Sequence, residues 1–219
     1  MRKIDKSKIL STVYKKWEEA LENNQEDHPQ YTASHRFHKD IVMNMYHIQG
    51  GLCAYTEMKI LASEYDYDEA NWIKGRFKKG KSKHLGQLEH FDPKLKTVEP
   101  KSWLWDNLFM VLNEVNHEKA DKPTDLILKP DHSDYDPYEL LDYDFEKHIF
   151  FANVKSGKLS QSEIDRINKM IDVLGINFVK DWRKKYVSER IKALEFGITP
   201  DTAEEYMTAF EITRRNLNL

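Results

Sequence analysis

Three short groups of polar side chains follow one another between residues 85 and 122. Each group consists of two adjacent polar residues, and the groups are Glu89-His90, Asp106-Asn107 and Asn116-His117. Hydrolysis of a phosphodiester bond requires a base that takes a proton from water, and oxygen ligands that hold a divalent cation against the phosphate. This stretch contains residue types suited to both tasks.

The sequence predicts a small hairpin-plus-helix unit around these groups, with longer helices on both sides. Apolar residues recur at helical spacing from Leu10 to Leu21, after a candidate N-cap at Ser7, and a second helix is predicted from Ser34 to Gln49. Three helices are predicted near the C-terminus, the last opening at Thr199-Pro200. Their apolar positions are Ile164, Ile167, Ile171 and Leu174, then Phe178, Trp182, Tyr186 and Leu194, then Tyr206, Met207 and Phe210.

Shorter elements are predicted between these helices. Residues 52–60 are rich in β-forming side chains and indicate a strand or hairpin, and residues 148–154 indicate a strand. Residues 123–144 are acidic and rich in turn formers, which favours a long surface excursion. We therefore expect an α+β fold that is mostly helical, with the hairpin-plus-helix unit at its centre.

The segment 63–84 changes from acidic and tyrosine-rich to strongly basic. Its cations are Lys74, Arg76, Lys78, Lys79, Lys81 and Lys83. Such a run is often a solvated, mobile loop, but it also attracts the phosphate backbone of nucleic acids without regard to sequence. The sequence leaves both interpretations open.

The composition is that of a globular protein rather than a membrane protein. Of the 219 residues, 40% are hydrophobic and 32% are charged, which allows a sizeable core in a single domain. We find no membrane-spanning run and no signal peptide, and the single Cys53 suits a reducing cytoplasm. A net charge of -3 is low for a free-standing nucleic-acid binder, so we expect a local basic face or help from a partner.

Four spaced elements resemble HNH endonucleases, which have the ββα-metal fold. These elements are Cys53-Ala54-Tyr55-Thr56-Glu57, Leu88-Glu89-His90-Phe91-Asp92-Pro93-Lys94, Trp105-Asp106-Asn107-Leu108-Phe109 and Asn116-His117-Glu118-Lys119-Ala120-Asp121-Lys122. More narrowly, the chain is similar to the bacterial anti-phage branch typified by PtuB, the nuclease subunit of Septu-type and related retron systems. That similarity extends to Gln49-Gly50-Gly51-Leu52, to Leu174-Gly175-Ile176-Asn177 and to Trp182-Arg183.

The resemblance implies a role for each polar group. His90 would be the general base, and Asn107 would orient it and brace the loop. Glu89 and Asn116 would hold one Mg²⁺ or Mn²⁺, with His117 as the alternative ligand on the helix. Lysines would contact nucleic-acid phosphates, and the candidates are Lys94, Lys119 and Lys122, together with Lys78, Lys79 and Lys81 of the basic run.

One departure from the family concerns zinc. Many members frame the fold with two Cys-x-x-Cys pairs, whereas here the corresponding positions are Cys53, Thr56, Leu112 and Val115. We therefore expect a small hydrophobic contact in place of the zinc site, with Cys53 buried and no structural zinc. Glu57 would either approach the metal or form a salt bridge to Lys59 or to a neighbouring arginine, and we expect the salt bridge.

The family resemblance implies one HNH nuclease domain over residues 1–219. It would comprise N-terminal helices (1–50), the HNH core (51–122, with a basic insertion at 63–84) and a helical extension (123–219). The implied function is cleavage of DNA as the effector of an anti-phage complex with an ATPase partner of the PtuA type. The alternatives are a non-catalytic adaptor that binds an ATPase or nucleic acid, and a nuclease that cleaves RNA or tRNA. The aromatic residues of the C-terminal helices would either dock the partner or pack among themselves.

Overall fold

The computed structural model describes residues 1–61, 63–80, 84–198 and 204–219. The predicted α+β class is confirmed, and the strands form antiparallel pairs. The helices are α1 (Thr12–Asn23), α2 (His38–Gln49), α3 (Lys94–Thr97), α4 (Asn113–Lys119), α5 (Pro137–Leu140), α6 (Gln161–Val173), α7 (Lys180–Glu195) and α8 (Met207–Asn216). The strands are β1 (Trp72–Ile73), β2 (Arg76–Phe77), β3 (Gly86–His90), β4 (Leu108–Leu112), β5 (Leu141–Asp144) and β6 (Ile149–Ala152).

The chain divides into two compact units that are not continuous in sequence. The first, which we call the hairpin unit, contains Ile4–Cys53 and Lys59–Thr124. The second, which we call the C-terminal unit, contains Met1–Lys3, Ala54–Met58 and Asp125–Leu219. In the described part of the chain, no helix combines the length and the apolar character needed to cross a bilayer.

The hairpin unit is organised around the antiparallel pair β3 and β4. The outer edge of β4 is closed by Gln49 at the end of α2, whose amide donates to the Met110 carbonyl at 2.8 Å and accepts from the Met110 N–H at 2.9 Å. The Leu112 N–H donates to the Cys53 sulfur at 3.3 Å. These side chains satisfy backbone groups that an edge strand would otherwise leave open. The predicted burial of Cys53 is confirmed, whereas the expected lack of zinc stays a prediction.

The core of the C-terminal unit is built around a buried arginine on α7. The Arg183 guanidinium donates to the carbonyls of Ile176 at 3.0 Å and His148 at 3.1 Å, and to the Asn177 side chain at 3.0 Å. It also lies over the Phe150 ring, 4.7 Å from the ring centre. Arg183 therefore joins α7 to the turn before it and to the β5–β6 pair.

Glu57 forms a buried ion pair, but with a different partner from those expected. Its carboxylate lies 2.8 Å from the α-ammonium group of Met1 and accepts hydrogen bonds from the backbone and the hydroxyl of Thr208. Burial raises the pKa of Glu57, but the Met1 ammonium and the Thr208 hydrogen bonds outweigh this effect and lower the pKa overall. The predicted partner of Glu57, Lys59 or an arginine, is replaced here by the α-amino group.

Several element boundaries differ from the predictions. The first two helices begin later, at Thr12 and His38, because residues 10 and 11 bond instead to the Asn44 side chain, and residues 35–38 form a turn. Residues 52–60 form turns with one isolated bridge between Leu52 and Lys59, and the Glu57 carbonyl accepts a long-range hydrogen bond from the Tyr206 N–H at 3.4 Å. The predicted helix start at Thr199-Pro200 lies outside the described residues.

Two segments contain strands that the sequence did not indicate. The excursion over 123–144 includes β5, which pairs with β6. The basic segment includes the β1–β2 pair, and the partly exposed Arg76 forms an ion pair with the buried Asp40 carboxylate, 2.5 Å from its Nε. Of the C-terminal aromatic residues, Tyr206 and Phe210 are buried, whereas Phe178 and Trp182 are exposed. Packing within the protein therefore explains the first two residues but not the last two.

Candidate active site

Of the three polar groups predicted from sequence, Glu89-His90 ends β3, Asp106-Asn107 lies in the turn directly before β4, and Asn116-His117 lies on α4, which begins directly after β4. In the strand register, His90 at the end of β3 is opposite Leu108 at the start of β4. The Phe91 N–H donates to the Asn107 carbonyl at 2.8 Å, which extends the pairing by one step. A strand pair followed at once by a helix is thus present where the hairpin-plus-helix unit was expected.

Asn107 fastens the loop that follows β3. Its side-chain oxygen accepts from the Asp92 N–H at 2.8 Å, and its amide donates to the Asp92 carbonyl at 2.9 Å. Asn107 is itself buried. These two hydrogen bonds fasten the residue two positions after His90 to the residue directly before β4.

The His90 ring is buried and held in one tautomer. Its Nε2 lies 2.8 Å from the carbonyl oxygen of Ser102. Because a carbonyl can only accept, Nε2 carries the proton and Nδ1 carries the lone pair. The ring of Tyr31 covers the imidazole edge-on, with 4.9 Å between the ring centres.

Burial makes His90 a weakly basic, neutral group. The pKa of His90 is lowered to about 4, chiefly by burial and also by the nearby ammonium groups of Lys96 and Lys119, against the opposing effect of the Ser102 hydrogen bond. At neutral pH the imidazole is therefore uncharged, which is the state a general base requires. Burial also raises the pKa of Tyr31 to about 12, so that its phenol keeps its proton.

We expect the wild-type protein to lose stability relative to His90→Gln as the pH falls from about 7 to about 4.5. The unfolded imidazole, with a pKa of 6.5, takes up a proton in this range, whereas the folded one, with a pKa of about 4, does not. The unfolded state then binds more protons, and the free energy of unfolding falls by ~2–3 kcal/mol. Urea unfolding of both proteins across this range measures the difference, and parallel curves would contradict a buried neutral His90.

Glu89 points to the other side of β3, towards α4, where it meets a buried lysine. The Lys119 ammonium lies 2.6 Å from Glu89 Oε1, and the side chains are 0% and 3% exposed, respectively. The same ammonium donates to the His90 carbonyl at 3.1 Å. This geometry corrects the expectation that Lys119 contacts phosphates, because its charge is enclosed and already neutralised.

Asn116 lies on the same side of the strand pair as Glu89. Its amide donates to the Gln87 side-chain oxygen at 2.9 Å, and Gln87 shares a strand face with Glu89 because the two are separated by one residue. His117 is exposed and lies one residue further on, about 100° around the helix axis. The geometry favours Asn116 over His117 as the partner of Glu89.

The donor set at this position fits a hard divalent cation. A carboxylate from Glu89 and an amide oxygen from Asn116 are ligands that Mg²⁺ accepts, and Mg²⁺ usually keeps several waters besides. The Lys119 ammonium shows that the position next to Glu89 stabilises positive charge. Among the described residues, no group of three or more histidine, cysteine or acidic side chains is arranged to hold a metal ion.

A cavity of about 360 Å³ lies beside Asn116, and its lining does not include His90 or Glu89. Its lining includes Asn116 and Gln87 on one side and Tyr31, His38 and Lys96 on the other. The Lys96 ammonium lies 4.9 Å from the centre of the Tyr31 ring, and the Tyr31 hydroxyl is 3.1 Å from His38 Nε2. The cavity thus combines hydrogen-bonding groups with a cation, as a phosphate-binding groove requires.

Sequence reasoning missed several of these groups. Gln87 carried a usable signal, since it is two residues before Glu89 on the same strand. Ser102 carried none, because it contributes a backbone carbonyl. Tyr31 and Lys96 reach the site only through the tertiary fold, so their spacing along the chain gave no signal.

The remaining lysines with predicted phosphate contacts are on the surface. Lys94, Lys122 and Lys78 are exposed, and Lys79 is exposed but forms an ion pair with Asp66 at 2.8 Å. Lys81 lies outside the described residues. Surface lysines can contact phosphates without a fixed geometry, so these positions stay predictions.

Comparison of the chain with known family models and with curated proteins finds no match. The chemistry of the site therefore has to be inferred from its own residues. The most informative of these are the imidazole of His90, in a defined tautomer, and the two oxygen donors Glu89 and Asn116.

Proposed function

We propose that this protein is a metal-dependent endonuclease of the HNH type that hydrolyses phosphodiester bonds in DNA. The observation that carries the proposal is the fixed tautomer of His90, which leaves Nδ1 unprotonated at the end of β3. Glu89, on the opposite face of β3, and Asn116, on α4, carry oxygen donors within the same strand–strand–helix unit. This combination supplies a base together with ligands for a cation.

In the proposed reaction, His90 Nδ1 takes the proton of the attacking water. The imidazolium that forms is stabilised by the Ser102 carbonyl, which already accepts a hydrogen bond from Nε2–H. Asn107 keeps the loop after β3 in place, and Tyr31 shields the ring from bulk water. A Mg²⁺ or Mn²⁺ held by Glu89 and Asn116 would stabilise charge on the phosphate and on the leaving oxygen.

The charge distribution supports a role for a partner. The net charge of -3 gives the chain little overall attraction for DNA, while Lys94, Lys96 and Lys122 provide exposed cations on the hairpin unit. We propose that an ATPase subunit of the PtuA type brings the nuclease to its substrate as part of an anti-phage complex. The exposed Trp182 and Phe178 are the candidate docking residues on the C-terminal unit.

A second candidate function is a non-catalytic adaptor with an HNH-like fold. It is favoured by two observations: Glu89 is neutralised by Lys119, and His90 is covered by Tyr31. An adaptor would bind the ATPase or nucleic acid but leave phosphodiester bonds intact. Cleavage assays with added metal separate the two candidates.

We expect supercoiled plasmid to be nicked in the presence of Mn²⁺ or Mg²⁺ and to stay intact with EDTA. Asn116→Ala should slow nicking by about 10- to 100-fold, because one of two protein ligands is lost. His117→Ala changes the adjacent, exposed residue and should alter the rate by less than about threefold. Gel electrophoresis with and without the ATPase measures both rates.

The opposite order of effects would assign the metal ligand to His117. Absence of nicking under all metal conditions, with the ATPase present, would reject the nuclease in favour of the adaptor. A structured RNA or tRNA in a parallel assay tests the remaining candidate, a nuclease that cleaves RNA. The same side chains could hydrolyse phosphodiester bonds in either nucleic acid.

A further inference from the structure

The ion pair between Lys119 and Glu89 has an unusual degree of burial for a lysine. The Lys119 side chain is 0% exposed, and its ammonium contacts the Glu89 carboxylate at 2.6 Å and the His90 carbonyl at 3.1 Å. Lysines are rarely enclosed in this way unless they are paired, because removing an ammonium from water is unfavourable. The pair is therefore a specific feature of this site and not a surface contact.

The position of Lys119 coincides with that of the proposed metal ligands. Asn116 and Lys119 are one helical turn apart on α4, and Gln87 and Glu89 lie on one face of β3. The pairs Asn116–Gln87 and Lys119–Glu89 consequently lie side by side. A divalent cation bound to Glu89 and Asn116 would lie next to the ammonium group, and the two positive charges would repel each other at close range.

We propose that the Lys119 ammonium occupies the cation position at Glu89 when no metal is bound, and that a divalent cation must displace it. This inference rests on the proposed function, since it uses the same carboxylate as metal ligand. Lys119 then sets the metal affinity of the site. It also keeps Glu89 satisfied in the resting protein, so the site is stable without metal.

Titration calorimetry with Mn²⁺ tests the competition directly. Lys119→Met, which keeps the length and apolar character of the side chain, should bind Mn²⁺ at least about tenfold more tightly than the wild type, because the competing charge is gone. Lys122→Met removes the same charge from an exposed position close by and should change the affinity by less than about threefold. Equal affinities in the wild type and Lys119→Met would overturn the inference.

A second measurement uses the wild-type protein and does not depend on how the variant folds. An amine-reactive reagent, followed by mass spectrometry, should label the buried Lys119 slowly without metal and at least about fivefold faster with saturating Mn²⁺. Labelling of the exposed Lys16 on α1 should stay constant. Unchanged labelling of Lys119 with Mn²⁺ bound would overturn the displacement.

The two hypotheses fail in different ways. Mn²⁺ binding that is abolished by Glu89→Gln but is equally tight in the wild type and Lys119→Met would overturn the role of Lys119 and leave the nuclease proposal intact. Absence of Mn²⁺ binding in wild type, Lys119→Met and Lys122→Met would overturn both the metal site and the competition.

Discussion

Replacement of His90 by alanine is expected to reduce phosphodiester cleavage by roughly 10²- to 10⁴-fold, the range typical of a general base. The substitution removes Nδ1, which carries the lone pair, together with the Nε2–H that bonds to the Ser102 carbonyl. The rate of plasmid nicking at saturating Mn²⁺, in the presence of the ATPase, is the appropriate measure. Mn²⁺ binding should persist, since Glu89 and Asn116 are unchanged.

The matched control is His132→Ala, which removes a partly exposed histidine of the C-terminal unit. Its cleavage rate should equal that of the wild type within about twofold. Urea unfolding of both variants separates a loss of chemistry from a loss of structure. Full cleavage activity in His90→Ala would remove His90 from the mechanism.

Replacement of Arg183 by methionine is expected to lower the free energy of unfolding by roughly 3–5 kcal/mol, the range for breaking a buried charged network. The guanidinium donates to the Ile176 and His148 carbonyls and to the Asn177 side chain. Methionine fills much of the volume but donates no hydrogen bond, so these acceptors lose a buried donor. Urea unfolding monitored by tryptophan fluorescence and circular dichroism gives the change.

Lys184→Met is the control for this substitution, because it removes a positive charge from the adjacent, exposed position of α7. Its effect on the free energy of unfolding should stay within about 0.5 kcal/mol. A loss of less than about 1 kcal/mol in Arg183→Met would show that water replaces the guanidinium in the core.

The parts of the fold that periodicity predicts are those stabilised by local contacts. The helix α6 combines a regular apolar stripe with a capping box between Ser160 and Glu163, and both signals are present in the sequence. Residues 52–60 have β-forming side chains but form turns with one isolated bridge, and some of their hydrogen-bond partners are distant in the sequence. The Glu57 carbonyl accepts from the Tyr206 N–H, and the Cys53 sulfur accepts from the Leu112 N–H.

At the candidate site, too, the features set by neighbouring residues could be predicted from the sequence, whereas those set by tertiary contacts could not. The order of the polar groups predicted the hairpin-plus-helix unit, in which His90 ends β3 and Asn107 directly precedes β4, because adjacent elements of the chain meet there. The ion pair of Lys119 was not predicted, since a lysine near a helix end normally faces water. One signal was available: Val115 and Lys119 are four residues apart, so they share one face of α4, and Val115 is buried.

The buried carboxylate of Glu57 bears on the order of events during synthesis. Thr208, its hydrogen-bond donor on α8, is separated from it by 151 residues. The hairpin unit is complete once residue 124 has left the ribosome, whereas α8 emerges only after a further delay of about 5–20 s at ordinary rates of elongation. Until then the Glu57 carboxylate, although its ionic partner Met1 is already present, lacks the hydrogen bonds that Thr208 donates in the folded protein.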